Sequence, residues 1–151
     1  MNITRQSALL SISNRIKDAT SLIIYDPYIF PKRTNENYLA ELISVFPENL
    51  LTLLFIYQKN KFNEELRDKF QEECPDHIEV HYFESLNPRY RMHDRVWIVN
   101  GNEAFTTGSS FNSIGKNVSF MNQLPSEDLQ SLLKLLVNEF GTKFKELLPI
   151  G

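Results

Sequence analysis

Residues 89–115 read RYRMHDRVWIVNGNEAFTTGSSFNSIG, and this stretch decides how the rest of the chain is organised. Val96, Trp97, Ile98 and Val99 form an apolar run suited to an extended strand. Asn-Gly-Asn-Glu at 100–103 supplies residues that tolerate the left-handed backbone of a tight turn, and Ala104 to Thr107 reads as the returning strand of a hairpin. In an extended chain, residues two apart share a face, so Arg89, Arg91, His93 and Arg95 can all point the same way. The hairpin then returns Gly108, Ser109, Ser110 and Asn112 to the start of its first strand, beside His93.

This grouping has a chemistry. An arginine fork matches a pair of phosphate oxygens, and a histidine serves near neutral pH as nucleophile or as general acid and base. Small residues let a substrate approach the backbone, while Ser hydroxyls and the Asn amide can donate to phosphate oxygens. The plainer alternatives are solvated edge-strand charges for Arg89, Arg91 and Arg95, and an ordinary polar loop at 109–115.

Outward from the hairpin, helices and strands alternate. Leu9, Leu10, Ile12, Ile16 and Ala19 are spaced as one face of an N-terminal helix, and Leu22 to Tyr25 reads as a strand. Asp26-Pro27-Tyr28 follows at the strand's end, where open α/β sheets often place ligand contacts; a proline-led turn is the plainer reading. Leu39, Leu42, Ile43 and Phe46 mark a second helix, and Leu50 to Tyr57 is a nearly continuous apolar run, as expected of a strand covered on both faces. Asn63 to Glu73 reads as a charged helix with Leu66 and Phe70 inward, and Ile78, Val80 and Tyr82 alternate as another strand. After the hairpin, Val118 to Met121 suggests a last strand. Ser126 is expected to cap one long C-terminal helix carrying Leu129, Leu132, Leu133, Leu136, Phe140, Phe144 and Leu147. The expectation is a single mixed α/β layered domain over residues 1–151, its sheet flanked by helices.

Composition narrows the function classes. At 151 residues and 42% hydrophobic, the chain can bury a substantial core, while a net charge of −3 does not describe a strongly basic nucleic-acid binder. Local clusters outweigh that sum, since Arg89, Arg91, Arg95 and Lys116 can make a positive site on an acidic protein. The single Cys74 cannot form an intrachain disulfide, and no apolar run approaches the ~20 residues that span a bilayer. With no secretory layout at Met1-Asn2-Ile3, a cytoplasmic protein without a transmembrane segment is expected. Cys74, His77 and His81 are only a weak match to a zinc framework, so no metal or other cofactor is expected.

His93-x-Arg95, Asn100 and the Ser110-x-Asn112 turn together resemble the phospholipase D superfamily pattern, in which His-x-Lys is followed by four residues, an Asp and later a Gly-Ser-x-Asn turn. Arg95 stands for the Lys and Asn100 for the Asp. Ser109 stands for the Gly, or else Gly108-Ser109 matches Gly-Ser and the Asn falls one position late. The strand ending in Asp26-Pro27-Tyr28 is also similar to a divergent branch that includes the C-terminal domain of MIT-domain proteins associated with ESCRT machinery. The likeness spans roughly residues 20 to 121.

The resemblance implies a phospholipase D-like fold and a metal-independent phosphodiesterase, most readily a nuclease, working through a phosphohistidine. His93 would be nucleophile or acid partner, Arg95 the charge stabiliser, and Ser110 and Asn112 phosphate-positioning groups. Arg91, Asn100, Ser109, Asp26 and Tyr28 would bind substrate. With one motif visible, the full site would need a homodimer that brings two copies of His93 together. The divergent branch implies the alternative: a catalytically inactive module that binds nucleic acid, a membrane lipid as a peripheral protein, or a protein partner.

Overall fold

The computed structural model describes residues 3–86, 95–108, 110–113 and 121–149. Its centre is β1 (Ser21–Tyr25), five residues without an exposed side chain. A strand so buried needs sheet neighbours on both sides and helices on both faces. β2 (Thr52–Gln58) lies parallel on one side, pairing Ser21 with Thr52 and Tyr25 with Ile56, and β3 (Glu79–Ser85) lies parallel beyond it. On the other side β4 (Val96–Val99) runs antiparallel, pairing Tyr25 with Val96, and β5 (Glu103–Thr107) and β6 (Met121–Gln123) follow antiparallel. The sheet order is β3-β2-β1-β4-β5-β6. This is the mixed sheet flanked by helices that the sequence leads one to expect; the hairpin falls at its expected place, and the strand expected over Leu50–Tyr57 runs from Thr52 to Gln58. Residues 118–120, part of the expected last strand, lie outside the described residues.

The period-two alternation of each strand splits the core in two. Leu22, Ile24, Phe55 and Trp97 face α1 (Ile3–Arg15), α2 (Tyr38–Ser44) and α3 (Glu64–Glu73), packing with Ile12, Ile16, Leu42 and Phe70. Ile23, Leu54, Ile56 and Ile98 face α4 (Ser126–Phe140) and α5 (Thr142–Glu146), packing with Leu129, Leu132, Leu136 and Phe144. Burying side chains of this size stabilises by about 1.5–3 kcal/mol each. Leu10, expected inward, points to solvent.

The C-terminal helix differs from expectation at both ends. Pro125 occupies the cap position with no side-chain bond, so Ser126 is the first helical residue and not the cap. Gly141, at φ 75° and ψ −155°, divides the expected single helix into α4 and α5. That backbone geometry is essentially reserved for glycine, and it swings Phe144 into the core beneath Phe83.

Strand directions determine what meets where. β1, β2, β3 and β5 finish at the same end of the sheet at which β4 and β6 begin. Asp26, Lys59, Leu86, Arg95 and Gly108 therefore leave or enter the sheet at one common end.

Candidate active site

Asp26 anchors that end. Its N–H continues the β1–β2 ladder by donating to the Ile56 carbonyl, and its carboxylate Oδ1 accepts from the Tyr28 N–H at 2.9 Å, a local turn of the kind Asp favours. The other oxygen, Oδ2, accepts from Ser110 Oγ and from the Phe111 N–H, both at 3.0 Å. Residues more than eighty apart in the chain are thus held by one carboxylate. Asp26 has no exposed surface, and burial raises its pKa, against the lowering effects of the Phe111, Tyr28 and Ser110 donors and of the Arg95 charge. A carboxylate with both oxygens engaged by the protein acts through the turn it holds. Direct substrate contact, expected from the sequence, is not what its burial allows.

Arg95 enters just before β4 and accepts from the Thr107 N–H through its carbonyl at 3.2 Å, while its guanidinium lies 5.3 Å from the centre of the Tyr28 ring. Lys61 Nζ lies 5.8 Å from the same ring. Tyr28, about one-third exposed, thereby joins two cations beside the Asp26–Ser110 anchor. Of the expected site residues, Asp26, Tyr28, Arg95 and Ser110 are brought together.

The turn after β5 is clamped from its other side. Ser113 N–H donates to the Ser110 carbonyl in a 3-10 turn over Phe111–Ser113, and Arg5 Nη1 donates to the Phe111 carbonyl at 3.2 Å. Arg5 is itself paired with Glu41 at 2.8 Å and packs over the Phe111 ring. Tyr38 meets that ring edge-on and donates through its hydroxyl to the Ile29 carbonyl; burial pushes its phenol well above the usual range. Sequence reading missed Arg5, Glu41 and Tyr38, because no local pattern links an N-terminal helix to a turn 106 residues later.

Other expected residues are placed differently. Ser110 is nearly buried and its one hydroxyl proton goes to Asp26, so it positions the turn and does not offer a free donor. Asn100 sits at the opposite end of the sheet, at φ 53°, where its Oδ1 accepts from the Thr20 and Ser21 N–H groups and its Nδ2 donates to the Asp18 carbonyl. It closes the β4–β5 hairpin against the start of β1, too far from Arg95 to bind the same phosphate. Asn112 lies in the 3-10 turn, its side chain outside the description. Arg89, Arg91, His93 and Ser109 lie outside the described residues. His77 reaches the Glu48 carbonyl and His81 reaches Glu79, and among the described residues no group of three potential metal ligands occurs.

No protein-family model and no curated protein matches this sequence. A solved structure does: NucT from Helicobacter pylori, with a TM-score of 0.57 at 15% identity, over 89% of this chain and 88% of that one. The fold is phospholipase D-like. Among the described residues, no helix is long and apolar enough to cross a membrane.

Proposed function

We propose that this chain is a metal-independent phosphodiesterase that cleaves nucleic acid at a site shared across a homodimer. The observation that carries the reading is the buried Asp26 carboxylate, which draws the turn after β5 against the start of β4, three residues beyond His93 in the sequence. A phospholipase D-like fold shared with the nuclease NucT supports the same class of chemistry.

In the proposed reaction an imidazole nitrogen of one His93 bonds to phosphorus as the bond to the leaving oxygen breaks. The partner's His93 protonates that oxygen. The same imidazole then takes a proton from water, whose oxygen attacks phosphorus and breaks the phosphorus–nitrogen bond, restoring the first histidine. Arg95 balances charge on the phosphoryl oxygens, and Ser110 with Asn112 and Ser109 shapes the turn that receives them. A two-fold dimer supplies the second histidine because the chain carries one motif.

The test is hydrolysis of an oligonucleotide in excess chelator, with His93→Ala as comparison. Activity that resists chelation and falls at least a thousandfold in the variant, with an acid-labile phosphohistidine detected by mass spectrometry, supports the reading. If DNA, RNA and phospholipid all stay intact with concentrated dimer, it is wrong. The commitment of the Ser110 hydroxyl to Asp26 favours a second reading, a module that binds without turnover. That reading predicts ligand binding with no covalent intermediate, weakened by removing the charge at Arg91 or Arg95.

A further inference from the structure

A row of cations and an open groove continue away from the anchor across the ends of β1, β2 and β3. Arg95 and Lys61 both meet Tyr28, and Lys61 shares a 3-10 turn, Lys59–Lys61, with Lys59 at the end of β2. Lys59 then lines a groove of about 260 Å³ with Gln58, Asn60, Ser85 and Leu86. Neighbouring strands are about 4.8 Å apart, so the groove starts roughly 5–10 Å from Asp26. Among the described residues neither Lys59 nor Lys61 is ion-paired with a carboxylate. The acid on the groove's flank, Glu139, is already taken up by the Ser85 hydroxyl and the Leu86 N–H. Cations collected at one end of an acidic protein repel one another, and a polyanion relieves that repulsion.

We propose that Tyr28, Lys61, Lys59 and this groove form a subsite for the polynucleotide flanking the reacting phosphate. Lys59 and Lys61 contact successive backbone phosphates, Tyr28 offers the exposed third of its side chain to a base, and the Gln58 and Asn60 amides face the neighbouring nucleotide. A strand of nucleic acid fits better than a membrane: the cations lead into a narrow groove carrying the Gln58 and Asn60 amides beside Lys59, and Leu86 and Tyr28 are the only large exposed apolar side chains described at this end, too few for a membrane-binding face. The assignment rests on the phosphodiesterase reading for its choice of ligand, yet it is tested by binding alone.

The experiment measures anisotropy of a fluorescein-labelled single-stranded oligonucleotide bound to the His93→Ala protein at several salt concentrations, which removes turnover from the readout. Adding Lys59→Ala and Lys61→Ala together should weaken binding about tenfold or more and reduce the salt slope by about 1.4, from roughly 0.7 per phosphate contact on a single strand. Tyr28→Leu, which keeps bulk but removes the π face, should weaken binding about fivefold or more. Lys17→Ala, beside Asp18 at the opposite end of the sheet, should leave binding unchanged. Affinity within twofold of the parent and an unchanged slope in the Lys59 and Lys61 variant overturns the subsite, as does an equal loss in the Lys17 control. If the same lysines govern sedimentation with phosphatidylserine vesicles but not oligonucleotide binding, the ligand is a lipid surface and the proposal fails. Loss of the hydrolysis described above, with lysine-dependent binding intact, rejects the phosphodiesterase and leaves the subsite standing.

Discussion

Asp26 gives up hydration for three protein donors and a nearby guanidinium, and burial still leaves its native pKa raised. A carboxyl whose folded pKa exceeds its unfolded value binds more proton when folded, so its contribution to stability is present below the unfolded value and is lost as pH rises through the folded one. Asp26→Asn removes that titration. Relative to the variant, the wild type should lose stability as pH rises from near 3.8, levelling off above the raised native value. Urea unfolding of both proteins across that range checks this, and a flat or rising difference would contradict it. Asn100 offers a second residue-scale test. Its side chain satisfies two backbone donors and one carbonyl, and it holds a positive φ that few residues accept, so Asn100→Ala should cost about 1–3 kcal/mol. The denaturation midpoint reports the loss, while catalytic constants should scale only with the folded fraction.

Elements show where periodic reading succeeds and where it stops. Nearly unbroken apolar runs exposed β1 and β2 because a strand buried on both faces must be apolar at nearly every position, and the Asn100-Gly101 pair announced its turn through residues that accept positive φ. Gly141 escaped notice because the helical spacing of apolar residues resumes beyond it. A Cβ at Gly141 would meet no atom within 4 Å, so Gly141→Ala isolates backbone strain from crowding and should cost about 1–3 kcal/mol by thermal or urea unfolding. At Phe144 the loss is packing: fully buried against Phe83 and Phe140, it should cost about 3–5 kcal/mol on truncation to Ala. If Gly141→Ala were the more damaging of the two, the division between α4 and α5 would have been misjudged.

For the whole molecule, a single motif ties the proposed chemistry to association. Specific phosphodiesterase activity should therefore fall as the protein is diluted through its dimer dissociation, tracking the dimer fraction measured by sedimentation. Concentration-independent activity from a monomer would exclude the shared site. The sequence by itself determined the order of the strands and of the helices up to the C-terminal one, the two-faced burial of the central strands and the hairpin, since these follow from local spacing and side-chain type. Only the tertiary structure decided that Asp26, Ser110, Arg5 and Glu41 work on one turn, and that Asn100 belongs to the far end of the sheet. The reason is physical: periodicity records which face of an element is apolar, whereas a buried carboxylate chooses its donors from whatever the strand directions carry to it.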